Sequence, residues 1–382
     1  MTPVPLTLPF RPSEANELAN LVFEFAERRP LTQEIRTRIA ARVAVLKFET
    51  LRPYLGSLAR DPVHHSSYYA AIDAADGSSY LLHMALSTAP TSSLFQKPLL
   101  IGRMRRAAGQ EIVINAVPFG PADAELITKF TTLLDDALLP KAQIGRALVA
   151  PPTPAAFDAF RTVLKRTGRN VAALEMAASD FDAALYTAIR SGWREGYSAG
   201  VVIAAATADR ETIRAAVRFT RFRVDTAGPA ADKAAENSGE SAPHYLLPAL
   251  RACERLHEWI RQERAAARIS RPFDFEAVLA VASARELLLC LDWLRTRAHP
   301  PQLVAPTAIP DDGFETTVRQ MAAAAAQNSC QLTFDVGDGS PERLETIVRA
   351  SSGKVVLRVT AGPTDTVDFS QYLIGIADIL LG

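Results

Sequence analysis

The sequence predicts an α/β protein: a (β/α)8 TIM-barrel-like domain preceded by an N-terminal helical arm and a small antiparallel β unit. Three observations carry this. From residue 121 onward, short apolar strand-like runs alternate with segments of helical periodicity, a pattern that requires parallel pairing with right-handed crossovers. Seven or eight such units over roughly 250 residues fit a closed barrel better than an open doubly wound sheet. Before residue 121 the texture differs, which divides the chain into residues 1–120 (helical arm plus antiparallel β unit) and 121–382 (barrel domain).

Residues 13–60 read as helical, because Leu18, Leu21, Val22 and Phe25, then Ile35, Ile39, Val43 and Leu46, recur at helical spacing. Residues 68–72 and 80–84 read as a β-hairpin around Asp76-Gly77, a pair suited to a tight turn. Residues 99–104 and 112–117 give a second strand pair. Between them, Arg103, Arg105 and Arg106 beside Gly109 read as a solvated turn. In the barrel region, strands are expected at 146–150, 201–205, 220–225, 275–282, 302–305, 330–336 and 355–360. Helices are expected at 122–138, 155–165, 171–191, 209–217, 247–267, 285–297, 314–327, 341–350 and 369–381. Residues 226–243, rich in Ala, Gly, Ser, Asp and Glu, read as a loop and as a candidate lid, a disordered insertion being the competing reading.

Composition narrows the function classes. The chain has 382 residues, 48% hydrophobic and 22% charged, enough for a sizeable core. Lys plus Arg and Asp plus Glu both number 42, so the basic surplus of a nucleic-acid binder is missing. Cys253, Cys290 and Cys330 are far apart and without metal-like spacing, and Cys253 and Cys290 read as small core residues. The N-terminal stretch has neither a basic start nor a cleavable apolar segment, and no apolar run is long enough to span a bilayer. The expectation is a cytoplasmic protein, without membrane or nucleic-acid partners.

No motif declares a chemistry. A Gly-rich phosphate loop, a nucleophile elbow and an HExxH are all missing from the sequence. His64 and His65 are adjacent and would point to opposite sides of a strand, while His83, His244, His257 and His299 stand alone in sequence. In a barrel, function gathers where strands end, which selects Asp225, Asp335 and Asp338. Asp225 and Asp335 are candidate acid/base groups or metal ligands. Asp338 is a candidate substrate contact, although with Ser340 before Pro341 it also reads as a helix cap. Lys141, Arg146, Arg194, Arg223 and Arg358 are candidates for gripping a substrate carboxylate, Arg through its bidentate fork. Other strand ends, such as those at 201–205 and 276–282, are apolar.

From about Tyr68 to the C-terminus several segments resemble, in order, those of the tagaturonate epimerase family, barrel enzymes acting on uronates. Residues 117–124 (Val-Pro-Phe-Gly-Pro-Ala-Asp-Ala) are similar to a Pro-Leu-Thr-Pro-Glu-Asn stretch. Arg166-Thr167-Gly168-Arg169 and Gly192-Trp193-Arg194-Glu195-Gly196 match Arg-Thr-Gly-Arg and Gly-Trp-Arg-x-Gly segments. Residues 219–225 are similar to a Phe-Thr-x-Phe-Thr-x-Asp strand. Phe275-Glu276, Val304-Ala305-Pro306 and Thr360-Ala361-Gly362 are similar to strand openings and endings of the family.

The departures fall on chemistry. The family's Asp-Ala-Asp-His becomes Gly200-Val201-Val202-Ile203-Ala204. Its Asp-Glu strand end becomes apolar around Leu279 to Ala282, and Asp335 stands where a His would be. The family's His-Leu-Lys becomes Leu357-Arg358-Val359, and only Asp225 and Glu276 keep their type. A strand also looks deleted before Phe160, which leaves closure of the barrel open. The resemblance implies a metal-dependent epimerisation, and this chain lacks most of that site; a divalent metal is expected only if the site survives. Two readings follow: a catalytically degenerate barrel that binds a small polar ligand such as a sugar acid, or a divergent sugar-acid epimerase using Asp225 and Asp335. A third concerns the final helix, whose Tyr372, Leu373, Ile374, Ile376, Ile379, Leu380 and Leu381 would either dock on the barrel or form a homo-oligomer contact, docking being favoured.

Overall fold

A computed structural model of the chain describes residues 8–27, 31–61, 64–89, 98–106, 109–124, 141–142, 145–226, 244–337, 340–360 and 366–382. The expected helix at 122–138 lies mostly outside these residues, as do the candidate lid beyond Thr226 and Asp338. The chain divides into two compact units, one of residues 1–139 with 185–194, the other of 140–184 with 195–382.

In the first unit the apolar spacing folds as α1 (Pro12–Ala26), with Leu18, Leu21, Val22 and Phe23 buried, and α2 (Gln33–Leu46), capped by Thr32. Helix does not continue to residue 60. Lys47 adopts a left-handed conformation, and the Glu14 carboxylate accepts hydrogen bonds from the Glu49 and Thr50 backbone N–H groups and the Thr50 hydroxyl. These contacts turn the chain into β1 (Leu51–Pro53) and β2 (Ala59–Arg60), separated by a short 3-10 turn. The predicted hairpin forms from β3 (Ser67–Ala74) and β4 (Ser79–Leu86), with Tyr68 opposite Met84 and Gly77 at φ +84° in the turn. The second pair is β5 (Leu99–Arg105) and β6 (Glu111–Pro118), and the sheet runs β1-β3-β4-β6-β5, with β2 beside β3. Of the basic cluster, Arg106 pairs with Glu27 and Arg103 with Glu111.

The second unit is the predicted barrel, and it closes. Eight parallel strands pair in sequence order: β7 (Ala147–Ala150), β8 (Ala172–Glu175), β9 (Ser198–Ala204), β10 (Arg221–Asp225), β11 (Asp274–Leu279), β12 (Leu303–Pro306), β13 (Gln331–Asp335) and β14 (Val355–Arg358). The ring shuts where β14 pairs with β7, Arg358 opposite Val149. Among the described residues eight helices follow the strands: α3 (Pro154–Thr167), α4 (Phe181–Ser191, whose residues from 185 on count with the first unit), α5 (Arg210–Ala215), α6 (Leu247–Ala266), α7 (Ala284–Thr296), α8 (Phe314–Gln327), α9 (Pro341–Ala350) and α10 (Thr366–Leu381). Thr153, Asp209, Ser283 and Ser340 cap four of them, each accepting from a backbone N–H three residues on.

One strand corrects the sequence reading. Residues 171–191 do not form a single helix: Ala172–Glu175 is β8, and helix begins only at Phe181. Ala-Ala-Leu-Glu has helical propensity, but its position between β7 and β9 recruits it to the barrel. This is the eighth strand, so the barrel is complete.

Buried Ala147, Val149, Ala173, Leu303 and Val356 form one apolar cluster. Its members come from β7, β8, β12 and β14, and β12 does not pair with β7 or β8, so the cluster fills the barrel lumen. On α10, Leu373, Ile376, Ala377 and Leu380 are buried and the helix packs on α3, so the apolar face of the final helix docks within the chain. Cys253, Cys290 and Cys330 are buried thiols. Among the described residues no helix is long and apolar enough to cross a membrane.

His257 on α6 and His299 after α7, solitary in sequence, form a buried pair with Nδ1 atoms 2.9 Å apart. One ring must donate and the other accept, so the pair cannot take up two protons without losing this contact. Burial, then the His299 and Arg261 charges, lower the His257 pKa to about 4 against a weaker opposing effect of Glu258. His83 on β4, stacked on Tyr69, is likewise lowered to about 4 by burial, with Asp61 opposing.

Two outcomes are expected from this architecture. An unfolded histidine titrates near pH 6.5, so the unfolded chain binds more protons below that pH, and stability falls as pH drops from about 6.5 toward 4 by on the order of 3 kcal/mol for each of the two groups. Urea denaturation at pH 7, 6 and 5 checks this, and His83→Phe should remove about half of the slope. In the first unit, a Cβ on Gly56 would lie 2.4 Å from Gly192 Cα, and Gly192 itself is at φ +67°. Gly56→Ala is therefore expected to lower stability by ~1–3 kcal/mol or more in the same assay, since neither backbone can yield without shifting its segment.

Candidate functional site

Side chains of β10 at positions two apart share a side of the strand, which places Arg221 and Arg223 together in the lumen. Glu276 comes from the middle of β11 and is completely buried. Glu175, Asp335 and Arg358 are the last residues of β8, β13 and β14. These six side chains form a closed ring of alternating charge. Arg221 Nη2 donates to Glu175 Oε2 at 2.9 Å, and Glu175 Oε1 accepts from Arg358 Nε at 2.7 Å. Arg358 Nη1 reaches Asp335 Oδ1 at 3.1 Å, and Asp335 Oδ2 accepts from Arg223 Nη2 at 3.2 Å. Arg223 donates to Glu276 Oε1, and the Glu276 Oε2 to Arg221 Nη1 separation of 3.8 Å completes the circuit.

Three guanidiniums face three carboxylates, so the ring is neutral by itself, and no member could be buried this way alone. Burial raises the Glu175 pKa, but the Arg221, Arg358 and Arg223 charges outweigh it and hold the carboxyl below its usual range. Burial works against the Arg358 charge, and the Glu175 and Asp335 partners more than restore it. Glycine at position 200, within β9, makes room: a Cβ there would lie 2.6 Å from Arg221 Nη2.

The sequence-predicted residues divide three ways. Arg223, Arg358 and Asp335 are brought together in the ring. Asp225 ends β10 half-buried, one pleat beyond Arg223. Arg146 precedes β7, where Nη1 donates to the Leu381 carbonyl and the guanidinium lies against Gly353, so it sits at the N-terminal end of the strands. Lys141 is exposed, with its backbone N–H on the Tyr197 carbonyl. Arg194 donates to the Gly56 and Leu58 carbonyls inside the first unit. Sequence reasoning missed Glu175 and Arg221. For Arg221 the signal was present, since Arg-Phe-Arg-Val-Asp puts residues 221, 223 and 225 on one side of a strand.

The resemblance implies a divalent metal at the strand ends, and the donor set does not fit one. Each ring carboxylate lies between two guanidiniums, so a cation there would displace them and face three positive charges. Among the described residues no three His, Cys, Asp or Glu side chains converge as ligands. The ring also supplies poor acid–base groups: arginine does not release its proton, and Glu175, held below the usual carboxylate range by its arginines, is a weak base. What the ring does well is present oriented guanidinium donors at the C-terminal end of the barrel.

Fold and site thus define a class, a closed eight-stranded (β/α) barrel whose lumen is bridged by matched charges. No protein-family model matches the chain, and no curated protein matches it in sequence. Among solved structures it is similar to the fructuronate-tagaturonate epimerase UxaE from Cohnella laeviribosi. In a glycerol complex of that protein the identity is 17% and the TM-score 0.57, over 84% of this chain and 74% of the other. In the native form the identity is 16% and the TM-score again 0.57, over 85% and 75%. A likeness at this level of identity shows the shared fold.

Arg221→Met is expected to cost ~3–5 kcal/mol, because it leaves Glu175 and Glu276 each short of one cation in a buried setting. Chemical denaturation of the variant beside the parent protein checks the figure.

Proposed function

We propose that this chain is a catalytically degenerate member of the uronate-epimerase-like barrels, one that binds a small polar ligand, of which a sugar acid is the favoured class, at the C-terminal end of its strands without turning it over. The charge ring carries this reading. Where a barrel enzyme of this kind needs a base and a means of stabilising an enediolate, this lumen places carboxylates already committed to arginines. The fold likeness to an epimerase supports the class of ligand, and the arginines at the strand ends support an acidic one.

The second reading is a divergent sugar-acid epimerase in which Asp225 and Asp335 act as acid and base. The favouring observation is that each is the last residue of a barrel strand, β10 and β13, with the Asp335 side chain 43% exposed. Incubation of the protein with D-fructuronate or D-tagaturonate, followed by NMR of the mixture, separates the two. No interconversion, together with a thermal shift caused by a uronate, is the expected result. Interconversion at an enzyme-like rate that Asp225→Ala abolishes would establish the second reading in its place.

A further inference from the structure

The six members of the ring are not held alike. Glu276 is fully buried and Glu175 is 14% exposed, whereas the Asp335 side chain is 43% exposed. Charge-assisted N–H···O contacts usually close to about 2.7–2.9 Å. Glu175 meets Arg358 at 2.7 Å, but both contacts of Asp335 are longer, 3.1 Å to Arg358 and 3.2 Å to Arg223. Glu276 has one close contact with Arg223 beside its 3.8 Å approach to Arg221, whereas Asp335 is the most solvent-facing carboxylate of the ring and the one with neither contact at the usual charge-assisted length.

Its two partners are the opposite. Arg223 is 6% exposed and anchored by Glu276; Arg358 is 15% exposed and anchored by Glu175. Each offers one nitrogen to one oxygen of the same carboxylate, so the pair presents two donors from β10 and β14 at the spacing of a single carboxyl group. Removing that carboxylate would leave both arginines in place, with the rest of the ring carrying one net positive charge.

We propose that Arg223 and Arg358 form a site for one small carboxylate group, and that Asp335 is its built-in occupant, displaced when a ligand carboxylate enters. This rests on the reading that the barrel mouth binds a ligand, and adds how the site is kept closed in its absence. The competing side chain sets a threshold: only an anion that outcompetes a tethered carboxylate gains entry, and a neutral sugar gains nothing. Asp335 remains linked to β13 after displacement, so release of the ligand lets it return.

The test uses formate as the smallest carboxylate, with D-glucuronate, D-glucose and inorganic phosphate beside it. Binding is read by calorimetry and thermal shift on the wild-type chain, Asp335→Asn, and Asp335→Asn combined with Arg358→Gln. Asp335→Asn keeps the shape and removes the competing charge, and formate should bind it about tenfold or more tightly than wild type, the factor that corresponds to ~1.4 kcal/mol of relieved competition. The added Arg358→Gln change should abolish that gain, and glucose should bind none of the three. Asp335→Ala serves if Asp335→Asn does not fold, folding being judged by circular dichroism. Equal formate affinity in wild type and Asp335→Asn, or a gain that survives Arg358→Gln, would overturn the proposal. Phosphate gaining as much as formate would also overturn it, making the cradle a general anion site. Formate gaining while glucuronate does not would keep the self-occupied site and sink the sugar-acid reading, so the two failures are distinguishable.

Discussion

The barrel depends on a closed circuit of charge. Three arginines and three acids from β8, β10, β11, β13 and β14 share the lumen with the apolar cluster of Ala147, Val149, Ala173, Leu303 and Val356. Each ion is costly to desolvate, and each is tolerable only because its neighbours on both sides carry the opposite sign. The buried members depend on one another most, while Asp335 stands at the exposed edge of the circuit. Taking out any one member leaves two groups of like charge facing each other across the gap. Gly200 in β9 leaves the space that the Arg221 guanidinium needs.

The fold was largely legible in the sequence because its signal is periodic. Seven of the eight barrel strands, the hairpin around Asp76-Gly77 and the docked final helix all announce themselves through apolar spacing or turn residues. What escaped was β8. A four-residue strand with Ala-Ala-Leu-Glu has no alternation to read, and its conformation is imposed by the two strands beside it. The short elements after α2 escaped for a related reason: they are fixed by Glu14, 35 residues away from the Glu49 backbone it holds.

The candidate site was half legible. Asp335 was found because it ends a strand, where a barrel places function, and Arg223 and Arg358 because a guanidinium fork suits a carboxylate. Neither rule could show that they touch, because pairing across a lumen depends on register and tilt, and these exist only once the barrel has closed. Losing β8 also meant losing Glu175. Arg194 and Arg146 fared differently, since an arginine in sequence looks the same whether it faces a ligand or, as these do, backbone carbonyls.

The closure of β14 on β7 has a consequence for the order in which the molecule is made. The ring needs Arg358, and Arg358 is aligned with Val149, a partner synthesised about two hundred residues earlier. Until the last strand leaves the ribosome, Glu175 and Asp335 lack their shared cation and the half-built lumen stays wet. Long-range pairing of this kind is slow, and it leaves strand edges open during elongation. The charges that neutralise one another in the finished barrel are, in the nascent chain, hydrated groups that discourage the open sheet from sticking to its neighbours.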